Sequence, residues 1–312
     1  MEEMNTFLII GASGCIGFET AKWLSRNRKN DKVITLSRGK TVYPGELEGC
    51  IQEYGDISDR ESIEKVLTKH SVSHVIHCAA LRTSECNENP QRAREINVGG
   101  TQNVIEACNN SGSVKDFLFL STAAVYDQVE DQQENVNEEA AVSKYAPYVA
   151  TKLESEEFLY EFSKTADIAI SVIRPQILFG PTRSLSGSTA GVTKCIQHAA
   201  FNKEYTIPYS GQYSFHYTGD TGLLLGTILC AEKAYKFEIF NLPGNPHKVN
   251  DFKDLLNNLT SPDEFISIIE KQYPFAQSVS FQKYRNYFGE VSLSTLEDAV
   301  KETFEHFKSN RF

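Results

Sequence analysis

Through the first half of the chain, short apolar runs alternate with stretches of helical period. Phe7-Leu8-Ile9-Ile10 predicts a buried strand, followed by a glycine turn and a helix from about Ile16. Val33-Ile34-Thr35-Leu36 predicts a second strand. A helix near 59–69 leads to a strand from His74 to Ala80, and a helix near 90–110 leads to Phe117-Leu118-Phe119-Leu120. A helix near 147–164 leads to a strand from Ile168 to Ile173. Strands alternating with helices predict βαβ units and a parallel sheet. The runs are apolar without strict alternation, the pattern of strands covered on both faces. The expected class is therefore α/β, with a doubly wound parallel sheet.

Beyond Pro175 the pattern loosens, and glycine, proline and aromatic residues become denser. One short strand is expected at Phe237 to Asn241, stopped by Pro243-Gly244. The tail from Ser294 to Lys308 predicts an amphipathic helix with Leu296, Val300, Phe304 and Phe307 on one stripe. Residues 127–142 are acidic with neither period and are expected as an exposed loop. The domain reading is 1–175 for the sheet, with a returning segment near 213–241. A smaller C-terminal substrate-binding region takes 176–212 and 242–312.

Composition narrows the partners. The 312 residues hold 41 acidic against 31 basic side chains, for a net charge of -10. That balance argues against nucleic acid or an anionic membrane as principal partner. No run approaches the ~18 apolar residues needed to span a bilayer. The acidic start Met1-Glu2-Glu3 leads directly into the first strand, so no secretory signal is read and a cytoplasmic location is expected. The seven cysteines are irregularly spaced without a CxxC pair, which fits reduced thiols and no metal site.

Gly11-Ala12-Ser13-Gly14-Cys15-Ile16-Gly17 follows a strand and opens a helix. Glycine permits a tight turn and lets backbone approach a pyrophosphate, and the helix N-terminus favours the anion. A Rossmann-type dinucleotide site is the reading. An NAD site usually carries an acidic residue at the end of the second strand for the ribose hydroxyls. Here that place reads Leu36-Ser37-Arg38-Gly39-Lys40. Arg38 can pair with a 2′-phosphate, so NADP is favoured, with NAD as the alternative.

Tyr148 and Lys152 stand at i and i+4, on one face of a helix. A nearby ammonium favours phenolate and lowers the tyrosine pKa towards neutrality. Around them, in order, lie Gly55-Asp56-Ile57, Val75 to Ala80, Asn97-Val98-Gly99-Gly100-Thr101, Leu120 to Tyr126 and Arg174 to Pro181. With these motifs the chain resembles the extended short-chain dehydrogenase/reductases, the NAD-dependent epimerase/dehydratase family, over at least its first 181 residues. The resemblance implies that Thr122 holds the substrate oxygen, Tyr148 is the acid/base, and Lys152 binds the ribose and tunes Tyr148. It implies a cofactor lined by Gly11, Gly14, Cys15, Ile16, Gly17, Ser37, Arg38, Asp56, Ile57, Ala79, Ala80, Arg82 and Pro175. Asn97 would support the site, and homodimerisation is common in the family.

The shared chemistry is hydride transfer beside proton transfer at one carbon–oxygen bond. A dehydratase of this family would carry Asp-Glu after the threonine. Ala123-Ala124 stand there and can supply neither acid nor base, so 4,6-dehydration is disfavoured. A reductase or dehydrogenase is favoured, with a nucleotide-sugar epimerase holding NAD as the alternative. A non-catalytic NADP(H)-binding regulator is the rival from another class. The resemblance implies a sugar or nucleotide-sugar substrate, but two positions depart from it. Ile177 replaces the usual Asn, and Tyr213 replaces an Arg that grips a diphosphate. Arg183 and Lys194 are candidate replacements. His216 and Cys86 receive no role.

Overall fold

In a computed structural model, residues 4–39, 47–127, 134–260, 266–273 and 276–309 are described. Lys40 and residues 128–133 of the acidic segment lie outside them. The first half runs β1 (Thr6–Ile10), α1 (Cys15–Asn27), β2 (Lys32–Ser37), β3 (Ile51–Tyr54), α2 (Arg60–His70) and β4 (His74–His77). It continues through α3 (Thr83–Glu88), α4 (Pro90–Arg94), α5 (Gly100–Ser111), β5 (Asp116–Leu120), α6 (Pro147–Ser163) and β6 (Ala169–Arg174). Then come β7 (Ile177–Phe179), α7 (Gly191–Ala200), β8 (Tyr205–Ile207), β9 (Gln212–Tyr217), α8 (Thr221–Cys230) and β10 (Phe237–Asn241). The chain ends with β11 (Asn245–Lys248), α9 (Val249–Leu259), β12 (Ile266–Ile268), α10 (Gln282–Phe288) and α11 (Leu296–Ser309).

Seven strands form one sheet in the order β10-β6-β5-β4-β1-β2-β3. The pairs from β6 through β3 are parallel, as the apolar runs predict. Every residue of β1 is buried, because helices cover both faces. Leu8, Ile34, Val75, Val104, Phe117 and Val172 belong to the resulting core. The chain leaves β1 towards β2 and β3, then crosses back to β4 on the other side. Ile10 therefore pairs with Leu36 on one flank and His77 on the other. That reversal opens a crevice at the carboxyl end of β1, the general position of ligands in such sheets. Trp23 of α1 packs on α8, where Gly222 and Gly226 leave room that a methyl group would fill.

The compact unit holding this sheet comprises 1–125, 144–174 and 221–240. The second unit comprises 126–143, 175–220 and 241–312. The returning segment thus begins at α8 rather than near 213. β9 instead centres a three-stranded sheet, β11-β9-β7, inside the second unit. Its Phe215 and Phe179 pack against Phe252 of α9 at ring separations of 4.8 and 5.1 Å. Val300 and Phe304 of α11 are buried in the same core, with Leu296 and Phe307 against it, as the tail stripe predicts.

The described part of the acidic segment, 134–142, is a mostly exposed loop as expected, with two anchored positions. Asp127 is buried and accepts from the Ala276 N–H at 3.2 Å. Val136 is buried in an isolated bridge with Val279, and Glu138 Oε1 accepts from Asn241 N at 2.7 Å. A single bridge has no period, so the pattern could not announce it. Among the described residues no helix is long and apolar enough to cross a membrane, and no His/Cys/Asp/Glu group is placed to hold a metal.

Candidate active site

The glycine turn is closed by three backbone bonds: Gly11 N to Leu36 O (2.9 Å), Gly14 N to Gly11 O (3.0 Å) and Phe18 N to Gly14 O (2.9 Å). Gly11 has φ +90°, and a Cβ there would lie 2.7 Å from Ala79 N. A Cβ on Gly17 would lie 2.7 Å from Gly11 O. Both glycines are required by the fold itself. Gly14 is different. Its φ is -87°, and a Cβ there would meet nothing nearer than Gly11 O at 3.4 Å. The protein leaves room for a side chain at Gly14. No side chain caps α1 and no acidic residue stands in its first turn. A pyrophosphate fits these features.

At the far end of the crevice, Ser37 Oγ donates to Gly39 O at 2.5 Å, and Ser37 O accepts from Gly55 N at 3.2 Å. Asp56 Oδ1 accepts from the Ser58 N–H (2.9 Å) and hydroxyl (2.8 Å). Burial pushes the Asp56 carboxyl up. The two Ser58 bonds and the charge of Arg38 outweigh it and hold the group below its ordinary value. Arg38 itself is exposed, and no carboxylate stands at the end of β2. Ile57 is buried, Ala79 and Ala80 are half-buried after β4, and Pro175 is buried after β6. The Arg82 backbone N–H and Nε both donate to Glu85 Oε2, at 3.1 and 3.4 Å, at the start of α3.

Thr122 lies two residues beyond β5, and its Oγ1 accepts from Ala124 N at 3.2 Å. Its hydroxyl hydrogen is left to donate. Tyr148 and Lys152 share one face of α6, with Tyr148 half-buried against the cluster of Leu81, Cys86 and Ala93. Lys152 is only 3% exposed. Its ammonium donates to Leu120 O at 2.6 Å and lies 4.7 Å from the Phe119 ring centroid and 5.9 Å from that of Tyr148. Burial pulls its pKa down to about 8, against the pull of nearby acidic groups including Glu156. Asn97 sits in one turn of π-helix at Glu95–Gly99, a distortion that recurs at functional sites. Its amide accepts from Leu81 N (2.7 Å) and donates to Leu81 O (3.2 Å) and Thr151 Oγ1 (3.1 Å). One side chain thus ties the loop after β4 to α6.

Sequence reasoning missed the support beneath. Glu156, one turn beyond Lys152, is buried and bound by Arg174 Nε (3.1 Å) and Nη2 (2.5 Å) and by the Ser121 hydroxyl. The i+4 spacing from Lys152 was the available signal. His77 is also fully buried, and burial, helped by the Lys152 charge, drives its pKa to about 3. It stays neutral, with Nε2 3.2 Å from Thr101 Oγ1. His216 is a packed strand residue, its Nδ1 2.9 Å from Pro243 O.

A family model described as the NAD dependent epimerase/dehydratase family matches residues 7–242. The chain is 26% identical to UDP-glucuronate 4-epimerase of Thermodesulfobacterium geofontis (strain OPF15), over 98% of this chain and 97% of that protein. It is 29% identical to dTDP-D-glucose 4,6-dehydratase of Dictyostelium discoideum over 67% of this chain, and the match spans 51% of that relative's length. In fold it is similar to the UDP-glucuronic acid 4-epimerase from Bacillus cereus, solved with UDP-glucuronic acid and NAD. The TM-score is 0.84 at 20% identity, covering 97% of this chain and 99% of that one.

The buried ammonium makes a testable cost. Because burial lowers the Lys152 pKa, its charge destabilises the folded state fully below about pH 8. The penalty shrinks as pH rises towards the ordinary value of 10.5. Lys152→Met is expected to raise stability at pH 7 by about 1–2 kcal/mol, with the gain fading above pH 8. Thermal denaturation across that range measures it, and a lowered Tm at pH 7 would contradict it.

Proposed function

The chain belongs to the NAD dependent epimerase/dehydratase family, and on that premise we propose that it is a nicotinamide-dependent enzyme acting on a sugar or nucleotide sugar. The reaction is hydride transfer at an alcohol or carbonyl carbon. The observation that carries this reading is the buried Lys152 ammonium beside Tyr148 on α6. An ammonium held there favours the phenolate of Tyr148, which suits it to exchange a proton near neutral pH. Thr122, with its hydrogen free to donate, orients the substrate oxygen. In the oxidative direction the substrate hydroxyl gives its proton to Tyr148 Oη as the carbonyl forms. The reductive direction returns it. A bound nicotinamide supplies the hydride acceptor or donor. Lys152 would hold the ribose of that cofactor, Gly14 its pyrophosphate, and Asp56 and Ile57 its adenine.

Net oxidation or reduction is the favoured outcome, and NADP(H) the favoured cofactor. Arg38, exposed where β2 ends without a carboxylate, supports both. Epimerisation is the second reading. The near full-length likeness to a UDP-glucuronate 4-epimerase supports it, and an NAD complex is known for the Bacillus cereus enzyme of similar fold. Dehydration is disfavoured because Ala123 and Ala124 bring no acid or base.

Two measurements test the reading. Tyr148→Phe should keep dinucleotide affinity while turnover falls by about 10²-fold or more, the scale of general acid–base catalysis. Unchanged turnover would remove Tyr148 from the reaction. Wild type should bind NADPH more tightly than NADH, and Arg38→Ala should cut NADPH affinity by about tenfold, the weight of a charge-assisted bond. Equal affinities in wild type would overturn the preference for NADP.

A further inference from the structure

We propose that Glu156 is a positioning residue for the reaction, acting through Lys152 to keep its ammonium charged beside Tyr148. The inference rests on the reading of Tyr148 and Lys152 as reacting groups. Every residue it uses lies within the unit that holds the seven-stranded sheet.

Tyr148, Lys152 and Glu156 follow one another at i+4 steps along one face of α6. Three donors from two strand ends lock the buried Glu156 carboxylate. Arg174, which ends β6, donates through Nε to Oε1 (3.1 Å) and through Nη2 to Oε2 (2.5 Å). The hydroxyl of Ser121, just beyond β5, donates to Oε1 as well. Ser121 is fixed in turn by its own N–H on Ile173 O at 2.7 Å. The arginine fork sets the plane of the carboxylate as well as pairing its charge. The carboxylate is thereby held back from the ammonium, and among the described residues no ion pair joins the two. Lys152 donates one hydrogen to Leu120 O and keeps two for a ligand. A contact pair would occupy another.

A buried pair such as Glu156 and Arg174 adds little stability over apolar side chains of similar volume. What it adds here is negative charge close to a buried cation. The groups around Lys152 on the other elements supply none. Burial pushes the Cys78 thiol after β4 up to about 12 and raises that of Cys86 on α3, so both stay protonated. His77 of β4 is neutral, and Phe119 of β5 offers only a ring face. Glu85 on α3, Arg94 on α4 and Glu95 beyond it are bonded to other partners at the surface. Arg174 of β6 is taken up by Glu156. Glu156 is left to oppose the effect of burial on Lys152. Without it the ammonium loses its proton at lower pH, and Tyr148 loses the charge that favours its phenolate.

Thermal denaturation tests this without any substrate. The stabilisation gained by Lys152→Met begins to fade at the pH where the folded ammonium loses its proton, and that pH is the readout. Glu156→Gln keeps an acceptor for Ser121 and removes the charge. In that background the gain should begin to fade about one pH unit or more below where it fades in wild type, the effect of one charge a helical turn away. Glu156→Gln/Arg174→Met leaves no guanidinium unpaired and should move the pH the same way by less, because Glu156, not Arg174, is among the charges acting on Lys152. A lower Tm with that pH unmoved would assign Glu156 to holding the fold and overturn its role, while leaving that of Tyr148 standing. Failure of both variants to fold would overturn it too. Unchanged turnover in Tyr148→Phe would instead overturn the reading on which this role rests.

Discussion

Lys152 carries an ammonium into the interior of the first unit, and the neighbouring elements are arranged to tolerate it. A pKa drawn down to about 8 means that the charge is held there at a net cost to the folded state. Three features offset the cost. Leu120 O accepts one hydrogen, the Phe119 ring offers its face, and Glu156 lies one turn further along α6. Glu156 is itself buried and is neutralised by Arg174 and bonded by Ser121. Leu120 ends β5 with Ser121 just beyond it, Arg174 ends β6, and Lys152 and Glu156 sit on α6. The electrostatic demand of one side chain therefore fixes a helix against the carboxyl ends of two strands. Asn97 fixes the other flank of α6 through Thr151. A merely stable fold would fill this space with apolar side chains. A costly ammonium retained beside a tyrosine is what the proposed proton transfer calls for.

The glycine turn obeys two separate constraints. Gly11 and Gly17 are bare because Ala79 and the Gly11 carbonyl crowd them. Their identity follows from packing β1, α1 and the loop after β4 closely together. Gly14 is bare although the protein leaves it space. Only the first kind of glycine is explained by the fold. The second is not, and the uncapped start of α1 beside it is compatible with the proposed pyrophosphate.

Much of this was legible in the sequence. The parallel strands announced themselves as apolar runs because both faces of the sheet are covered. The tail helix did so because a single stripe meets the second unit's core. β3 did not, because an edge strand reading Ile51-Gln52-Glu53-Tyr54 is mostly exposed and polar. The strands of the second unit are three to six residues long, too short for a period to emerge. The aromatic run of β9 fits either sheet, so its pattern alone does not fix the unit it joins. The catalytic candidates were visible as motifs. Their support was not: Glu156 and Arg174 look like ordinary surface charges until the fold buries both. Arg82 also takes part in a local capping arrangement with Glu85 at the start of α3.

Gly14 allows ligand and fold to be separated in one experiment. The chain has a single tryptophan, Trp23, on the helix that opens at the turn. It stands eight residues beyond Cys15, roughly 12 Å along the axis. Reduced nicotinamide dinucleotide bound at the turn should quench Trp23 and emit by energy transfer from it. The decisive measurement is that transfer, with NADPH and with NADH, in wild type and in Gly14→Val. The expected result is transfer in wild type and none in Gly14→Val, at unchanged Tm. Transfer of equal strength in both proteins, or none in wild type with either dinucleotide, would contradict a cofactor at this turn.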